Sequence, residues 1–187
     1  DNGALFVGNK SVMIGSVENY IKNFIDSNYK GEDFKADNTA RAQDETGRVI
    51  IDANKQTRVF YVAAGSDLHL NNMTLANGNE NGTDYAGDRD YDGMGGAVFV
   101  GGDLTMVNCV VKDSTVSNIS SDIRGIGVSS DSSISNSGFG GGIYVHSSGS
   151  ADIYYSTITN NKAVGVLGDD IGNFAMGGGI YNVGTIV

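Results

Sequence analysis

Gly95-Gly96-Ala97-Val98-Phe99-Val100 is written again as Gly140-Gly141-Gly142-Ile143-Tyr144-Val145 and as Gly177-Gly178-Gly179-Ile180-Tyr181-Asn182. A fourth version opens the chain as Asn2-Gly3-Ala4-Leu5-Phe6-Val7. Each copy is a small-residue corner followed by apolar, β-favouring residues. A phrase that returns at intervals of tens of residues marks a chain built from stacked repeats.

Working outward from these corners, a second pattern recurs in the intervals between them. Leu68-His69-Leu70-Asn71-Asn72-Met73-Thr74-Leu75 alternates in polarity, as does Leu104-Thr105-Met106-Val107-Asn108-Cys109-Val110-Val111. Ala151-Asp152-Ile153-Tyr154-Tyr155-Ser156-Thr157-Ile158 is a looser third copy. Superimposing the three puts Leu70 over Met106 over Ile153, and Leu75 over Val111 over Ile158. In coils stacked about 4.8 Å apart, like side chains lie one above another, so the aliphatic columns fill an interior. Asn72 falls over Asn108, which predicts an asparagine ladder bonded along the axis; Tyr155 interrupts it. Further strands are expected at residues 4–7, 11–14, 48–52 and 58–62.

The fold class these patterns predict is an all-β solenoid of about five rungs with three faces. It forms one domain over residues 1–187, with the clearest repeats in 48–187. Residues 16–47 break the pattern. Val17, Tyr20, Ile21, Phe24 and Ile25 recur at helical spacing after Ser16, a residue suited to cap a helix. An N-terminal α-helix over 16–27 that covers an end or flank of the stack is therefore expected, followed by a solvated, charged excursion. Loops over 79–94, 119–139 and 163–176 each precede a glycine corner. They should emerge on one side, where repeat proteins place their recognition surfaces.

Composition narrows the function. The 28 glycines follow no Gly-X-Y period, which excludes collagen, and the interleaved aliphatic and aromatic residues argue against disorder. A formal charge of −10 excludes nucleic acid as a natural partner, since phosphate binding needs a basic face. No run is long and apolar enough for a membrane-spanning helix. Cys109 is the only cysteine, so no intrachain disulfide can form. The chain starts at Asp1 without a signal peptide and both termini fall inside a repeat, as expected of a mature protein or an excised segment.

Val49-Ile50-Ile51-Asp52, Arg58-Val59-Phe60-Tyr61-Val62, Leu75-Ala76-Asn77-Gly78, the glycine corners and Ser156-Thr157-Ile158-Thr159-Asn160-Asn161 together resemble the right-handed, single-stranded parallel β-helix of microbial adhesin-like surface proteins. The chain is similar to the polymorphic outer-membrane protein repeats, whose signatures are Gly-Gly-Ala-aliphatic and Phe-x-x-Asn. The first matches Gly95-Gly96-Ala97-Val98. The second matches Ile158-Thr159-Asn160-Asn161 with Ile in place of Phe. The resemblance implies an extracellular or cell-surface module, non-enzymatic, displaying loops to a carbohydrate or protein ligand. Two other classes stay open: a filament subunit that associates end to end, and a polysaccharide-acting enzyme.

Candidate sites are few. Asp88-Arg89-Asp90-Tyr91-Asp92-Gly93 sets carboxylates at the first, third and fifth positions of a calcium-type loop with glycine at the sixth. The twelfth position is Phe99 rather than Glu, so this is no EF-hand; two readings stay open, a solvated acidic loop and a calcium site using Asp84, Asp88, Asp90 and Asp92. Asp169-Asp170 is what a hydrolase reading would use, but no companion motif accompanies the pair; a lyase reading would take calcium on the Asp84–Asp92 cluster with Arg89 or Arg124 as base. His69 and His146 stand alone. Asn81 and Asn118 are the better-placed glycosylation sequons, whereas Asn72 belongs to the expected ladder.

Overall fold

The computed structural model describes residues 5–7, 11–15, 46–81, 93–117, 137–165 and 174–187. The expected helix over 16–27 lies outside them. The described residues contain strands and turns and no helix.

The chain makes five passes. The first holds β1 (Leu5–Val7), β2 (Ser11–Gly15) and β3 (Val49–Asp52). The second holds β4 (Phe60–Val62), β5 (Asp67–Asn71), β6 (Met73–Ala76) and β7 (Asn79–Glu80). Next come β8 (Val98–Val100), β9 (Asp103–Val107), β10 (Val110–Lys112) and β11 (Thr115–Ser117). The fourth pass has β12 (Gly138–Phe139), β13 (Ile143–Val145), β14 (Ser150–Tyr154), β15 (Thr157–Thr159) and β16 (Lys162–Val164). The last has β17 (Ala175–Met176), β18 (Ile180–Asn182) and β19 (Thr185–Ile186).

Each strand pairs with its counterpart in the neighbouring pass, and every pairing is parallel. The sheets are A (β1-β4-β8-β13-β18), B (β2-β5-β9-β14-β19), C (β3-β6-β10-β15), D (β7-β11-β16) and E (β12-β17). Such a set of parallel sheets is compatible with a β-solenoid. The interior columns hold as aligned: Leu70 pairs with Met106 and Met106 with Ile153, while Val111 lies between Leu75 and Ile158. Phe60, Val98 and Ile143 form a further buried column, as do Val62, Val100 and Val145. Each fully buried aliphatic side chain contributes about 1.5–3 kcal/mol, so the stack is held chiefly by these columns.

Three details differ from the sequence reading. Five sheets replace three faces, because residues 79–80, 138–139, 163–164 and 175–176, read as loop, belong to short strands of sheets D and E. They are two or three residues long and partly glycine or polar, too brief to show a period. The alternating stretches are not continuous, since each breaks at a corner residue with positive φ: Asn72 (54°), Asn108 (53°) and Tyr155 (50°). Finally, β4 is a hidden copy of the opening phrase, with Phe60-Tyr61-Val62 in register between Leu5-Phe6-Val7 and Val98-Phe99-Val100. Its corner reads Thr57-Arg58-Val59, and without glycines it escaped the pattern.

The glycine corners have two separate causes. Gly95, Gly140 and Gly177 take φ of 71°, 69° and 64°, a left-handed conformation that a β-carbon disfavours. The next glycine is needed for space: a β-carbon on Gly96 would stand 2.2 Å from the carbonyl oxygen of Gly141 in the adjoining pass.

Candidate functional site

Two corner columns flank sheet C. At the corner between sheets B and C the positions down the axis are Arg48, Asn72, Asn108 and Tyr155, as fixed by the pairings of Val49 with Met73, Asn71 with Val107 and Tyr154 with Val107. Asparagine tolerates the left-handed conformation better than other residues with a side chain, which explains its use twice here. Asn108 Nδ2 donates to Asn72 Oδ1 at 2.9 Å. The Arg48 guanidinium then donates to Asn108 twice, through Nε to the backbone oxygen at 3.0 Å and through Nη2 to Oδ1 at 2.9 Å. Tyr155 follows Asn108 in this column.

The far corner of sheet C was not singled out in the sequence. Asn77, Asp113 and Asn160 share its position, again with positive φ of 55°, 56° and 53°. Asn160 Nδ2 donates to Asp113 Oδ1, and Asn77 Nδ2 donates to Asp52 Oδ1 at 3.0 Å. Beside it, Gly78 N donates to Ser114 Oγ at 3.0 Å and Ser114 N to Asn161 Oδ1 at 3.0 Å. Alignment of Asn77 with Asn160 would have exposed this column, but the aspartate between them hides the repeat.

The outer side of sheet A carries an aromatic column: Tyr61, Phe99, Tyr144 and Tyr181, with successive ring centroids 4.8, 5.6 and 5.7 Å apart. Met94 and Phe139 pack with Phe99 and Tyr144 in one buried cluster. Each aromatic pair adds about 0.5–1.5 kcal/mol beyond its burial. The column is therefore a second, smaller core rather than an open platform.

At its N-terminal end sits a buried ion pair. Arg58 Nε and Nη2 donate to Glu80 Oε2 at 2.9 and 2.5 Å, and the guanidinium lies 5.7 Å from the Tyr61 ring centroid and 5.8 Å from that of Phe99. Glu80 is fully buried. It ends β7, just before residues 82–92. Its place in a stretch read as exposed loop gave no signal of this role.

Of the residues singled out beforehand, Asp84, Asp88, Asp90, Asp92 and Asn118 lie outside the described residues, as do Arg89, Arg124 and Asp169-Asp170. Asn81, the residue after β7, is part-buried. Among the described residues no group of three or more His, Cys, Asp or Glu could hold a metal ion. His69 Nε2 lies 2.9 Å from Asp67 Oδ2 on the outer side of sheet B, and His146 Nδ1 2.9 Å from Ser148 Oγ; neither joins a nucleophile and a base.

Cys109 is buried in the main core, where its thiol donates to Val107 O at 3.3 Å. Burial pushes the thiol above its ordinary pKa, and neighbouring backbone hydrogen bonds offset only part of that. It is a packing residue, not a nucleophile.

Asn79, Thr115 and Lys162 are axial neighbours where the chain leaves for residues 82–92, 118–136 and 166–173. Met94, Phe139 and Met176 are axial neighbours where it returns. No helix among the described residues is long and apolar enough to cross a membrane. No protein-family model, curated protein or solved structure matches this chain.

Proposed function

We propose that the parallel stack is a right-handed, single-stranded β-helix. In this reading it serves as a non-enzymatic, extracellular or cell-surface module of adhesin type. Residues 82–92, 118–136 and 166–173 carry its recognition of a surface ligand. One observation supports this above the others: the departures and returns of all three segments are stacked in register, so a rigid scaffold fixes their bases a rung apart. Anchors fixed a rung apart raise the effective concentration of one segment beside the next, which favours joint recognition of one ligand.

The test is to replace the three segments together with short Gly-Ser linkers and probe a panel of immobilised extracellular proteins. The β-sheet circular dichroism is expected to persist, while capture of any protein bound by the parent chain is lost. Undiminished capture after the triple replacement would overturn the reading.

A further inference from the structure

The corner between sheets B and C is short in two passes and long in another. Asn72 alone joins β5 to β6, and Asn108-Cys109 joins β9 to β10, whereas residues 16–48 separate β2 from β3. This excursion leaves and re-enters the stack where the outer faces of sheets B and C meet. Its sequence carries the apolar stripe Val17, Tyr20, Ile21, Phe24 and Ile25 at helical spacing, and such a stripe needs an apolar surface to lie on.

The two faces differ in what they present. In sheet B, Leu68, Leu70, Leu104 and Met106 belong to the core, so Asp67, His69, Asp103 and Thr105 point outward. These four are polar and none is buried. In sheet C, Met73, Leu75 and Val111 belong to the core, which turns Ile50, Thr74 and Val110 outward as one registered row, with Ala76 on the same face. Thr74 is 1% and Ala76 3% exposed, yet neither belongs to a core cluster. Thr105, equally flanked by strands on both sides in sheet B, is only half-buried. Neighbouring strands alone thus leave an outward threonine partly open, and the burial of Thr74 requires a layer packed over it.

We propose that residues 16–27 are that layer: an amphipathic helix docked on the outer face of sheet C, its apolar stripe against Ile50, Thr74, Ala76 and Val110. A helix over 16–27 is about 18 Å long, and the four strands of sheet C, about 4.8 Å apart, span about 14 Å. The lengths therefore match. A segment capping the end of the stack would instead bury the free edge of β3 and leave Thr74, a rung inside, as open as Thr105. The outer face of sheet C is then internal to the domain and closed to an external ligand. The three loops depart from sheet D, so this docking stands or falls apart from the loop-display reading.

NOE spectroscopy on a mixture of labelled and unlabelled whole chains tests it. Intramolecular cross-peaks are expected from the Ile50 and Val110 methyls to the Tyr20 and Phe24 rings and the Ile21 methyls. Ile21→Asp combined with Phe24→Asp is expected to shift the Ile50 and Val110 signals and lower the melting temperature by roughly 5 °C or more. Glu18→Gln combined with Lys22→Gln, on the other side of the helix, should change neither. The proposal fails if the Ile50 and Val110 methyls show cross-peaks only within sheet C, if the stripe instead contacts β1, β2 and the edge of β3, or if the double aspartate variant leaves those methyls unmoved. Intermolecular cross-peaks would also overturn it, because a second copy would then occupy the face.

Discussion

Gly141→Ala is expected to cost roughly 3 kcal/mol or more, at the upper end of what overpacking does, and to lower the melting temperature sharply. The reason is local. A β-carbon there would stand 2.2 Å from the carbonyl oxygen of Gly178, and 2.5 and 2.6 Å from the backbone carbon and nitrogen of Lys162. All three are main-chain atoms, and none can swing aside as a side-chain tip would. Relief requires the rungs to separate, which breaks the Gly141 N to Gly177 O bond of 2.9 Å and its neighbours. Gly65→Ala is the control. At Gly65 nothing lies within 4 Å, and only the φ of 75° opposes a side chain, so about 1–2 kcal/mol is expected. Urea titration of both variants separates close approach from backbone conformation. Equal losses at the two sites would show that rung contact is not what requires glycine at position 141.

Glu80→Ala is expected to cost about 3–5 kcal/mol, because it leaves the Arg58 guanidinium buried without its carboxylate. Arg58 is only 7% exposed and Glu80 is fully buried, so water cannot replace the lost partner without opening the stack. The double replacement Arg58→Met with Glu80→Leu should recover most of that loss, since a buried pair exchanged for apolar groups of similar size is often neutral. Denaturation of the single and double variants gives the coupling directly. Additive losses would mean that the two side chains do not act as a pair.

How far these features could be read from the sequence depends on whether they repeat. The aliphatic columns were legible because Leu70, Met106 and Ile153 are chemically alike and each lies two residues before its corner residue, Asn72, Asn108 or Tyr155. The Asn72–Asn108 pair was visible for the same reason. By contrast, the aromatic column was half hidden: Phe99, Tyr144 and Tyr181 stand in the glycine phrases, but Tyr61 follows Arg58 rather than glycine. Sheets D and E gave no signal because two or three residues cannot display a period. The Arg58–Glu80 pair occurs once, and no repeat could reveal it; only the three-dimensional path brings residues 22 apart in sequence into contact. As for sites, the corner residues Asn72 and Asn108 were readable, but Tyr155 was noted only as an interruption. Its positive φ is carried by no sequence pattern.

The axial stacking of distant residues is most directly tested by methyl and aromatic NOE spectroscopy on selectively labelled protein. Cross-peaks from Met106 to both Leu70 and Ile153, and from the Tyr144 ring to both Phe99 and Tyr181, are the expected result. Strong Hα–Hα contacts between strands, the mark of antiparallel pairing, together with absence of those side-chain cross-peaks, would contradict it.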